Sequence, residues 1–97
     1  MKKTFKLVDE KRSAERVADK IKFEVKKYIK RERRKELPEG SDFWDFDCRI
    51  GESAESAQAI HEKEINKKID LLVSEKAESF YLEIMAKQAR RNPRSKE

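Results

Sequence analysis

Asp42-Phe43-Trp44-Asp45-Phe46-Asp47-Cys48-Arg49-Ile50, closed by Gly51, is the stretch that decides the fold of this chain. Successive side chains of a strand point to opposite faces. Trp44, Phe46, Cys48 and Ile50 therefore share one face, and Phe43, Asp45, Asp47 and Arg49 share the other. A strand with one apolar and one charged face needs cover on one side only. The same division recurs near both ends of the chain. Thr4 to Val8 places Phe5 and Leu7 together, and Phe80, Leu82, Ile84 and Ala86 alternate with Tyr81, Glu83, Met85 and Lys87. Both segments read as strands.

Between the strands the period changes from two to about three and a half. Ser13 is placed to cap a helix, with Glu15 in its first turn. Ala14, Val17, Ala18, Ile21, Val25, Tyr28 and Ile29 follow at steps of three and four. On a helical wheel they fall within a sector of about 120°. Leu37-Pro38-Glu39-Gly40 ends this helix near Lys35 or Glu36, because proline biases its predecessor away from helix. A second helix is expected from a cap at Ser53 to about Lys76, with Ala54, Ala57, His61, Ile65, Ile69 and Leu72 inward. The expected fold is α+β: a two-layer β-α-β-α-β domain, with two helices on one face of a three-stranded sheet and the other face open. Residues 1–87 form that single domain. Residues 88–97, with Pro93 and little apolar content, read as a basic disordered tail. Strand order is not legible at this level.

The composition supports one small folded unit. Leu, Ile, Val and Phe make up 21 of the 97 residues, just above the level of about 20% below which chains tend to stay disordered. Their regular spacing argues for a modest core. No apolar run reaches the roughly 18 residues of a membrane helix. The mixed start Met1-Lys2-Lys3-Thr4-Phe5-Lys6 lacks a signal-peptide core, and the single cysteine, Cys48, leaves no internal disulfide. These features lead to the expectation of a cytoplasmic protein.

The net charge of +5 conceals a strong segregation. Residues 1–35 carry 15 Lys and Arg against 6 Asp and Glu, a balance of +9. Residues 36–86 carry 5 against 13, or −8, and residues 87–97 carry 5 against 1, or +4. Such asymmetry points to a partner for a charged segment. Lys26, Lys27, Lys30, Arg33 and Arg34 fan across the helix face opposite the apolar stripe, with Phe23 in their midst. A cationic helix face suits a phosphate backbone, since binding releases condensed counterions. An aromatic ring there suits stacking on a base. RNA, DNA or a ribonucleoprotein is the expected partner; a solvated, unoccupied surface is the bland alternative.

The open sheet face offers a different reading. Phe43, Tyr81 and Met85 on it suit a protein partner or a second copy of the chain. Asp45, Asp47 and Glu83 interrupt them and repel phosphates, which disfavours RNA on the sheet. Asp45 and Asp47 are weak candidates for a divalent metal and for a metal-dependent enzyme, with cross-strand pairing to Lys6 or Lys87 as the alternative. Cys48 and His61 both read as packing residues rather than a nucleophilic pair. No phosphate-cradling glycine loop or serine-nucleophile motif is present. The expectation is a non-enzymatic binding module without a cofactor.

Leu37-Pro38-Glu39-Gly40-Ser41-Asp42-Phe43-Trp44-Asp45-Phe46-Asp47-Cys48 also carries a resemblance. With Met1 to Phe5, the basic run from Lys30 to Lys35, Ala54 to Ala57, His61 and Phe80-Tyr81, the chain resembles a family of small uncharacterised bacterial proteins. That resemblance spans nearly the whole length. It implies a bacterial, cytoplasmic origin and supplies no catalytic residues.

Overall fold

A computed structural model describes residues 1–90. The elements are β1 (Lys2–Lys6), α1 (Ala14–Arg33), β2 (Phe43–Gly51), β3 (Gln58–Ile60), a 3-10 turn (Glu62–Glu64), α2 (Ile65–Ser74) and β4 (Ser79–Ala89). The sheet has four strands rather than the expected three, in the order β1-β4-β2-β3. All three pairings are antiparallel. The α+β class and the alternation of β2 and β4 match the sequence reading.

Sheet and helices meet over one core. Phe46, Cys48 and Ile50 of β2 and Phe80, Leu82 and Ile84 of β4 are buried on the inner face. In register, Cys48 opposes Ile84 and Ile50 opposes Leu82. Phe5 of β1 opposes Phe80, and their rings stack with centroids 5.4 Å apart. Ala18, Ile21, Val25 and Ile29 of α1 and Ile65, Ile69 and Leu72 of α2 close the core from the helix side. Trp44 is only half-buried at the margin of this cluster. Its indole N–H donates to the Lys35 carbonyl at 2.9 Å, so it ties the end of α1 to the sheet.

α1 starts where its chemistry requires. The Ser13 hydroxyl accepts from the Arg16 N–H at 3.3 Å, and Glu15 occupies the first turn. Lys30, Arg31 and Arg33 fill the last turn, where cations oppose the partial negative charge of free carbonyls. The helix stops at Arg33, slightly earlier than expected. A turn follows in which Ser41 donates to the Pro38 carbonyl at 3.1 Å, with Gly40 at φ +89°.

The largest departure lies between Gly51 and Ile65. No helix begins at Ser53. Ser53 and Ser56 instead bond each other's backbone N–H groups within a loop, and the chain then adds β3 to the edge of β2. The Arg49 guanidinium holds this loop by donating to the carbonyls of Ala54 and Ala57, at 3.2 and 2.9 Å. The loop also lies directly on Gly51, where a Cβ would stand 2.7 Å from the Ala57 Cα. His61 is exposed rather than inward; its Nδ1 accepts from the Lys63 N–H at 3.1 Å and caps the 3-10 turn. β4 continues through Gln88 and Ala89, two residues expected in the tail. Arg90 follows outside any element, and the rest of the expected tail, residues 91–97, lies outside the described residues.

Candidate functional site

α1 presents to solvent the face opposite its buried stripe. Lys26, Lys30 and Arg34 are spaced at i, i+4 and i+8. Members of such a row stand about 6 Å apart along the axis. All three are exposed, and among the described residues none of their side chains forms an ion pair or hydrogen bond. Phe23 stands within this crest, 61% exposed, with the Lys27 ammonium 5.6 Å from its ring centroid.

The cations flanking the crest are engaged. Lys22 pairs with Asp70 of α2, Lys3 of β1 lies 3.8 Å from Glu24, and Lys35 binds the buried Glu32 at 2.9 Å. Arg33 is the most committed. Its Nη2 donates to both oxygens of Glu62, at 2.7 and 2.8 Å, and its guanidinium lies 5.3 Å from the Phe46 ring. Arg33 therefore joins α1 to the 3-10 turn and is not the free cation that the helical wheel suggests. Arg34, its neighbour, is free.

A groove flanks the crest on each side. The first, of about 750 Å³, lies beside Phe23, Lys27, Tyr28 and Arg31, and Glu24 is the one carboxylate in its lining. The Arg31 guanidinium sits 5.5 Å from the Tyr28 ring. The second, of about 480 Å³, runs between α1 and the 3-10 turn over Val25 and Ile29. Lys26, Lys30 and Arg34 border both. Sequence reasoning placed Tyr28 in the apolar stripe and did not single out Arg31, although their three-residue spacing places them side by side on a helix.

The outer sheet face is organised differently. Asp47 binds Lys87 at 2.8 Å, a contact that raises the Lys87 pKa. Asp45 accepts from the Phe46 N–H at 2.9 Å. Glu83 accepts from the Tyr81 hydroxyl at 2.9 Å and lies 3.5 Å from Arg49. Phe43 and Met85 are 39% and 44% exposed. Phe43 opposes Ala89, Met85 opposes Asp47 and Tyr81 opposes Gly51. Each is four residues along the ladder from the next, a separation of about 13 Å. The three are not brought together, and ion pairs lie between them.

Among the described residues no other constellation gathers chemistry. Cys48 is buried in the core on the inner face of β2. Burial first, and then the carboxylates of Glu62, Asp47 and Asp45, push its thiol up to about 11. Among the described residues no three His, Cys, Asp or Glu side chains cluster as metal ligands, and no helix is long and apolar enough to cross a membrane.

Comparison with curated proteins and with solved structures found no match. A family model does match, over residues 1–95, and so covers every element described above. The chain belongs to the family of unknown function DUF6172.

Proposed function

We propose that this protein is a non-enzymatic binding module of the cytoplasm that holds nucleic acid, free or within a ribonucleoprotein, against the outer face of α1. One observation carries the reading. Glu24, Glu32, Glu62 and Asp70 are used on flanking cations, while among the described residues Lys26, Lys30 and Arg34, in a single row, have no acidic partner. Three like charges held on a rigid helix repel one another, and a polyanion relieves that repulsion while shedding its own counterions. The outer sheet face, with its carboxylates and internal pairs, offers a polyanion nothing comparable.

The test is binding of fluorescently labelled RNA and DNA across a salt series. Each phosphate neutralised on a single strand contributes about 0.7 to the slope of log affinity against log salt. Replacing Lys26, Lys30 and Arg34 together by alanine is expected to lower that slope by about 2. Since among the described residues their side chains form no hydrogen bond or ion pair, the variant is expected to keep its thermal stability. Absence of binding at low salt, or a slope unchanged in the triple variant, overturns the proposal.

A further inference from the structure

We infer that the bound nucleic acid is single-stranded, with a base stacked on Phe23 in the larger groove and neighbouring phosphates on the crest cations. The inference rests on the nucleic-acid reading above and adds the form of the ligand.

Phe23 is out of place for a solvated cationic surface. It lies among Lys26, Lys27 and Lys30, yet 61% of it remains open to water. The Lys27 ammonium, one helical turn away, is 5.6 Å from the ring centroid. Its side chain therefore helps to hold the ring beside the groove. The groove volume of about 750 Å³ falls within the range of about 300–1,000 Å³ typical of small-molecule sites. It has room for a base and its sugar. Tyr28 and the overlying Arg31 bound the same space, and a guanidinium plane is itself a stacking surface.

A duplex makes poorer use of this arrangement. Its bases are stacked on one another, and wedging a ring between them costs unstacking. They show only their edges in the grooves, where recognition runs chiefly through donors and acceptors. A phenyl ring has neither. Single strands expose base faces, and stacking on an aromatic side chain tolerates any sequence. The crest cations then act on the backbone on either side of the stacked base.

The test uses the full chain, with labelled oligouridylate and oligothymidylate of about 12 nucleotides and a duplex of equal length. Single strands are expected to bind more tightly than the duplex. Phe23→Ala is expected to weaken single-strand binding by about 5- to 150-fold and leave the salt slope intact, while Phe23→Trp restores it. Equal affinity for duplex, or a Phe23→Ala variant that binds single strands like the parent, overturns this inference while the crest proposal stands. Failure of every oligonucleotide to bind, with capture by anionic phospholipid vesicles instead, overturns both.

Discussion

Arg33 and Arg34 are adjacent, equally charged and both exposed, yet the structure assigns them opposite roles. Arg33 makes two short charge-assisted bonds to Glu62 and lies over Phe46. Glu62 has a side chain only 14% exposed, so losing its partner leaves a carboxylate that water reaches poorly. A hydrogen bond to a charged group is worth about 1.5–3 kcal/mol, and the half-exposed guanidinium reduces that value. The cation–ring contact adds about 0.5–1 kcal/mol. Arg33→Ala is therefore expected to cost about 2 kcal/mol. A domain of this size loses about 4–8 °C of Tm per kcal/mol, so the shift is on the order of 10 °C. Arg34→Ala is expected to stay within about 0.5 kcal/mol of the parent. Urea denaturation of both variants, with Glu62→Gln completing a double-mutant cycle, measures the difference and the coupling. Equal stabilities for Arg33→Ala and Arg34→Ala, or zero coupling between Arg33 and Glu62, would refute the assignment.

The Cys48 thiol, buried and raised to about 11 from an ordinary 9.0, binds its proton more tightly in the folded chain. Its contribution to stability is therefore complete below about pH 9 and lost as pH rises toward 11. Alkaline denaturation should be shallower in Cys48→Ala, and native Cys48 should resist alkylation at pH 8 until urea is added. At the end of α2, Lys76 adopts φ 59° where a helix terminus of this kind ordinarily carries glycine. Ala77 donates to Leu72 and Lys76 to Val73, so the motif is complete apart from the residue type. Lys76→Gly is expected to raise stability by up to about 1 kcal/mol, and a lower Tm would contradict that account.

β2, β4 and α1 were legible because each is written in one continuous period with its own punctuation. Gly51 closes β2 and Ser13 opens α1, and both signals lie beside the residues they govern. The region 52–64 was misread for the opposite reason. Ser53, Ala54, Ala57 and His61 mimic a capped helix with an inner stripe. The Arg49 side chain, however, takes up the carbonyls of Ala54 and Ala57 that such a helix would use. The missing Cβ of Gly51 lets the loop lie against β2. The resulting β3 spans only Gln58–Ile60, too short to show a period. In the candidate site, a wheel placed Lys26, Lys30, Arg34 and Phe23 on one face. It could not separate Arg33 from Arg34, because Glu62 arrives from an element 29 residues away.

The same long-range pairing changes what the net charge means. Several of the carboxylates that make residues 36–86 acidic are spent on cations from elsewhere in the chain: Glu62 on Arg33, Asp70 on Lys22, Asp47 on Lys87. Basic and acidic segments are therefore partly neutralised where helix meets helix and strand meets strand, and among the described residues the crest of α1 keeps a row of cations without an acidic partner. Screening acts over about 8 Å at physiological ionic strength. A ligand on the crest is thus governed by Lys26, Lys30 and Arg34 rather than by carboxylates on the far side of the sheet. An uncompensated row attracts any polyanion, so charge alone selects a class of ligand. Under the proposed reading Phe23 narrows the class, because an exposed ring within that row favours a partner that offers a flat apolar face between its negative charges.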